Sequence, residues 1–65
     1  MAYQKATIIG TSNESFTAAA DDAIDRAEAR YDDIKWAEVQ LRGVELASTE
    51  EPEYQVEATI AYAVD

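Results

Sequence analysis

With no cysteine and no histidine among sixty-five residues, the chain lacks the usual thiol nucleophile, imidazole base and zinc ligands. Carboxylates are plentiful, as in Asp21-Asp22, Asp32-Asp33 and Glu50-Glu51. Adjacent acids on a helix point apart, however, and runs of acid are ordinarily a solvated face. Gly10-Thr11-Ser12 could turn free amides toward an anion, but a single glycine falls far short of a phosphate loop. Two residues stand apart from this background. Trp36 is the only tryptophan, and a lone Trp in a small domain is usually core. Lys35, Glu38, Gln40 and Arg42 surround it, so it can equally face a polar interface. Gln55 lies on the less apolar face of an alternating segment, where a solvated glutamine is ordinary. Spacing and composition alone name no ligand for either.

The elements that must position these residues follow from periodicity. Residues 2–10 read as a β-strand closing at Gly10. Thr11 to Glu14 fits a capping box, in which a hydroxyl and a glutamate satisfy free amides at a helix start. From Ser15 to about Tyr31, Phe16, Ala20, Ala23, Ile24, Ala27 and Tyr31 recur at helical spacing, while Asp21, Asp22, Asp25 and Glu28 take the wet side. The helix is rich in alanine, which permits a close-lying sheet. Asp32 and Asp33 break it, and residues 34–47 read as a long strand with a bulge or bend at Gly43. Ser48 to Glu53 forms a polar turn around Pro52. The last segment alternates almost without fault, with Tyr54, Val56, Ala58, Ile60, Tyr62 and Val64 on one face and Gln55, Glu57, Thr59, Ala61 and Ala63 on the other.

The expected fold is therefore α+β: one β-α-β-β domain over residues 1–65, its three-stranded sheet strongly curved and partly wrapping a single helix. Strands this long, at about 3.4 Å per residue, run roughly 40 Å. The sheet face bearing Thr59, Ala61 and Ala63 has no cover within the chain, which points to another subunit. So does size, because a chain this short buries only about 60% of its unfolded surface, and neither a disulfide nor a structural metal is available to staple it.

Charge narrows the partners. Fourteen acids against five bases give a net charge of −9, which repels nucleic acid and anionic membrane surfaces alike. Hydrophobic residues make up 48% of the chain, enough for a folded domain rather than a disordered acidic tail. Such a surface suits high salt, where counterions screen its self-repulsion, so a halophilic source is expected. No window resembles a membrane span or a signal peptide, and a cytoplasmic location is the expectation.

Several ordered blocks carry a resemblance to a known family: Gly10-Thr11-Ser12, the run from Ser15 to Glu28, Trp36-Ala37-Glu38-Val39, Gly43-Val44-Glu45 and Tyr54-Gln55. Together they resemble the dodecins, and most of all their archaeal, halophile-like branch. The resemblance implies trimers assembling into a hollow homododecamer that holds flavins in pairs at two-fold axes. The family's flavin-stacking tryptophan falls on Trp36, and the amide that reads the ring edge falls on Gln55. Glu45 matches an acid near the pocket. Arg42 stands where some bacterial members place an arginine that contacts ligand phosphate or the neighbouring chain, and Leu41 stands where archaeal members carry an aspartate. The implied role is a non-enzymatic store that buffers riboflavin, lumichrome or FMN and quenches its photochemistry. Two other readings are carried forward: a ligand-free structural oligomer, and a flavin-dependent enzyme.

Overall fold

The computed structural model describes residues 2–47 and 50–64. Along the chain lie β1 (Ala2–Ser12), α1 (Phe16–Arg30), β2 (Ile34–Glu45) and β3 (Glu53–Val64), the β-α-β-β order expected. The sheet is antiparallel throughout and its spatial order is β1-β3-β2. β3, with its unbroken alternation, is thus the central strand. Its inward residues Val56, Ala58 and Ile60 are buried completely, and the longest dimension of the molecule is 45 Å.

β1 runs two residues past Gly10, because Gly10, Thr11 and Ser12 continue to pair with Val56, Gln55 and Tyr54. That pairing overrides the capping box expected at Thr11 to Glu14. The cap is instead Ser15, whose hydroxyl accepts from the Ala18 amide at 3.0 Å, while Ser12 Oγ accepts from the Glu14 amide at 3.0 Å in the connecting turn. β2 ends at Glu45 rather than Ala47, and Glu53 belongs to β3 rather than to the turn. Ser48 and Thr49 of that expected turn lie outside the described residues, as do Met1 and Asp65.

α1 packs on β1 and β3 and scarcely meets β2. Its seat is made of small residues. Ala19, Ala23 and Ala27, one per turn, are fully buried, and beneath them lies Gly10. A β-carbon on Gly10 would sit 2.6 Å from Ala23 Cβ and would collide with the Ala19 carbonyl oxygen. Ala20 and Ile24, expected on the buried stripe, pack beside this core and are only partly covered. Aromatic pairs hold both helix ends: Phe16 meets Tyr54 edge-on at 5.0 Å between centroids, and Tyr31 stacks on Tyr62 at 4.5 Å. Asp22, expected on the wet side, is half-buried and accepts the Thr11 amide at 2.9 Å.

Candidate functional site

A β-strand places alternate side chains on one face, so Ile34 and Trp36 should point the same way. They do not. Ile34 pairs with Tyr62 and Trp36 pairs with Ala61, with a register shift between them. The extra residue is Lys35. It forms a bulge that sends Ile34 to the helix side, where it packs on the core, and Trp36 to the opposite face. Two features brace the bulge from below: Asp33, which adopts the left-handed region at φ 57°, and the ion pair between Asp33 and Lys35 at 2.8 Å. Asp33 also holds the Lys35 ammonium above its ordinary pKa, chiefly through that hydrogen bond. A second shift lies between Leu41 and Gly43, which makes Arg42 the bulged residue beside the glycine where a bend was expected. Gly43 has φ 149°, a backbone state costly for any other residue.

Between the two bulges the alternation is regular. Trp36, Glu38 and Gln40 share the helix-distal face with Ala61, Thr59 and Glu57, their register partners. Ala37, Val39 and Leu41 share the other face with Ile60, Ala58 and Val56. Trp36 is 62% exposed. Its neighbour across the sheet is Ala61, which pairs in turn with Lys5 of β1, so the floor directly beside the indole is a single methyl group. A flat ring can lie there.

Gln55 sits at the far end of the same face, opposite Gly43 on one side and Thr11 on the other. Arg42, Gly43, Val44, Glu45 and Gln55 line a shallow depression of about 380 Å³. Three of the residues singled out from sequence (Arg42, Glu45 and Gln55) therefore meet in one place, and Trp36 is not among them. Trp36 lies opposite residue 61, about six positions from Gln55, or roughly 20 Å along the strand. One copy of the chain cannot bring both to the same small ring.

Sequence reasoning passed over Glu53. Its carboxylate accepts the Gln55 side-chain amide at 2.8 Å, and its register partner is Glu45. The sequence reading left Glu53 in the turn; extending the alternation of β3 back by one residue, to where the strand begins, puts 53 and 55 on one face and was the signal available. A larger depression of about 480 Å³ is lined by Thr11, Ser12, Asn13, Glu50, Glu51 and Glu53, with Asn13 donating to Glu51. Among the described residues no group of three or more acids is arranged to hold a metal ion. Nor, among them, is any helix long and apolar enough to cross a membrane.

A β-α-β-β protomer with an open antiparallel sheet, its single tryptophan turned out on the uncovered face, defines the class of small α+β proteins to which the dodecins belong. The Dodecin family model matches residues 2–65, and the chain is a member of that family. Solved structures agree. The tt0972 protein from Thermus thermophilus is 31% identical, with a TM-score of 0.81 over 98% of this chain and 94% of that one. Dodecin from Streptomyces davaonensis is 29% identical, with a TM-score of 0.82 over 98% and 94%. The calcium dodecin of Mycobacterium tuberculosis, described as having a calcium-binding site, is 29% identical, with a TM-score of 0.85 over 100% and 93%. No curated protein matches the chain.

Proposed function

We propose that this chain is a one-domain protomer of a cytoplasmic flavin store, a homododecamer that sequesters riboflavin, lumichrome or FMN in stacked pairs and suppresses their photochemistry. The observation that carries the reading is the exposure of Trp36 on the helix-distal face. Leaving an indole 62% exposed wastes its large apolar surface unless something flat covers it. The Ala61 floor leaves room for a planar ring, and the bulge at Lys35 holds the indole out of its own core. These residues fit an isoalloxazine.

The distance between Trp36 and Gln55 supports assembly as part of the same reading. A ligand that touches both takes the indole from one copy and the amide from another. At a two-fold axis each residue is presented twice, so two indoles can bracket two rings, with stacking worth about 1–3 kcal/mol per ring. Gln55 reads the pyrimidine edge, and Glu45 and Arg42, in the same depression, face the side chain attached to the ring. Isoalloxazine supplies the light absorption and electron affinity. The protein supplies a stacked donor that returns the excited ring to its ground state. Storage is favoured over catalysis because a ring closed between an indole and a second flavin leaves no open face for a substrate.

Titration of riboflavin into the protein, followed by flavin fluorescence, tests the reading. Wild type is expected to extinguish the emission, and Trp36→Ala to keep its oligomeric state while losing about fivefold to 150-fold in affinity, as removal of about 1–3 kcal/mol of stacking requires. Equal quenching by both proteins would overturn the stacking role. Trp36 fluorescence that does not respond to riboflavin would leave a ligand-free structural oligomer.

A further inference from the structure

Glu53 is the neighbour that decides how Gln55 presents itself. A glutamine amide has two orientations related by a half turn, and an isolated side chain on a strand samples both. Here the Gln55 nitrogen lies 2.8 Å from a Glu53 carboxylate oxygen. An ionised carboxylate only accepts hydrogen bonds, so it bonds the NH2 group and never the amide oxygen. One N–H is thereby taken by Glu53, leaving Oε1 and the second N–H for a ligand. The space in front of them is open, because the residue opposite is Gly43, and even a β-carbon built there would meet nothing within 4 Å. Arg42, Val44 and Glu45 wall the same depression.

Resting on the flavin reading above, we propose that Glu53 is a positioning residue which fixes the amide of Gln55 so that the site selects rings with a cyclic imide edge, an N–H flanked by carbonyl oxygens. The fixed Oε1 accepts from the ring N–H, and the remaining amide N–H donates to a ring carbonyl. Without Glu53 the amide turns freely, and it can meet a ring lacking the N–H by offering a donor to a carbonyl instead. Glu53 therefore governs selectivity more than total affinity, which separates its role from a purely structural one.

The probes are riboflavin and 3-methylriboflavin, in which a methyl group replaces the imide hydrogen, each titrated by loss of flavin fluorescence. Wild type is expected to prefer riboflavin by at least about tenfold, the usual consequence of leaving a buried polar group unpaired. In Glu53→Ala that preference is expected to contract at least about threefold with the oligomer intact by size exclusion. Glu53→Gln, whose own amide can donate to Gln55 Oε1 as readily as it accepts from the NH2 group, is expected to contract the preference as Glu53→Ala does, which ties the effect to an acceptor-only carboxylate. Selectivity in Glu53→Ala equal to wild type, with riboflavin still bound, would overturn the positioning role while sparing the flavin reading. Failure of wild type to quench either flavin overturns both.

Discussion

Asp22 joins the helix to the sheet at a single carboxylate oxygen, which accepts from the Thr11 amide at 2.9 Å and from Arg26 Nε at 2.8 Å. The backbone hydrogen bond, with the Arg26 bond second, holds the carboxyl below its ordinary value of 3.8. A carboxyl whose folded pKa is depressed adds stability that is complete above the unfolded value and is lost as the pH falls through the folded one. Asp22→Ala is therefore expected to cost about 1 kcal/mol at pH 7, the usual net worth of such a bond. That deficit should begin to shrink as the pH falls past 3.8, the ordinary value, and be lost once it has fallen through the lower folded one, where the native carboxyl is protonated. Urea midpoints of both proteins across pH 2–7 measure it, and a deficit unchanged at acid pH would assign the loss to packing instead. Thr11 is also the register partner of Gln55, so the same bond steadies the strand end that carries the candidate amide.

At the scale of elements, the close seat of α1 on β1 and β3 depends on what is missing from the side chains between them. Gly10→Ala would place its methyl 2.6 Å from Ala23 Cβ, and the helix would have to lift along its whole alanine face. A loss of about 1–3 kcal/mol is expected, as for overpacked cores, read as a fall in the thermal midpoint. An unchanged midpoint would mean that the helix has slack to move. Much of this architecture was legible beforehand. Helix and central strand were visible because periods of 3.6 and 2 survive in Phe16 to Tyr31 and in Tyr54 to Val64. The helix start was misplaced, because Thr11 to Glu14 satisfies the capping pattern while the competing requirement, that Thr11 and Ser12 stay paired with β3, is not local. The facing of Trp36 was undecidable for the same reason. Whether Lys35 bulges depends on the pairing partner, and strict alternation from Ile34 would have turned the indole to the helix side. Gly43, by contrast, announced its bend through its residue type. Within the site, the grouping of Arg42, Glu45 and Gln55 came through the family resemblance, and Glu53 was missed because its role depends on a side-chain hydrogen bond.

The whole molecule exposes more apolar surface than so small a chain can leave wet. Leu41 is 69% and Leu46 67% exposed, and both lie on or just beyond the part of β2 that α1 does not reach. Cover from further copies is the economical answer, but every copy brings a net charge of −9. Bringing such surfaces together is opposed by repulsion that salt screens over about 10 Å at 0.1 M and about 3 Å at 1 M. Raising NaCl across that range is expected to increase both the thermal midpoint and the fraction of assembled protein in sedimentation. A midpoint that falls with salt would show that favourable ion pairs outweigh the repulsion.

The position of β3 between β1 and β2 bears on how the chain is made. The middle strand is the last of the four elements to be synthesised, and neither outer strand has a hydrogen-bonding partner until it arrives. Ala2 must find Val64, nearly the full length of the described chain away, so loop closure comes before any sheet contact can repay it. A nascent chain still lacking β3 can hold little more than its helix. The sheet can therefore form only once β3 has been delivered.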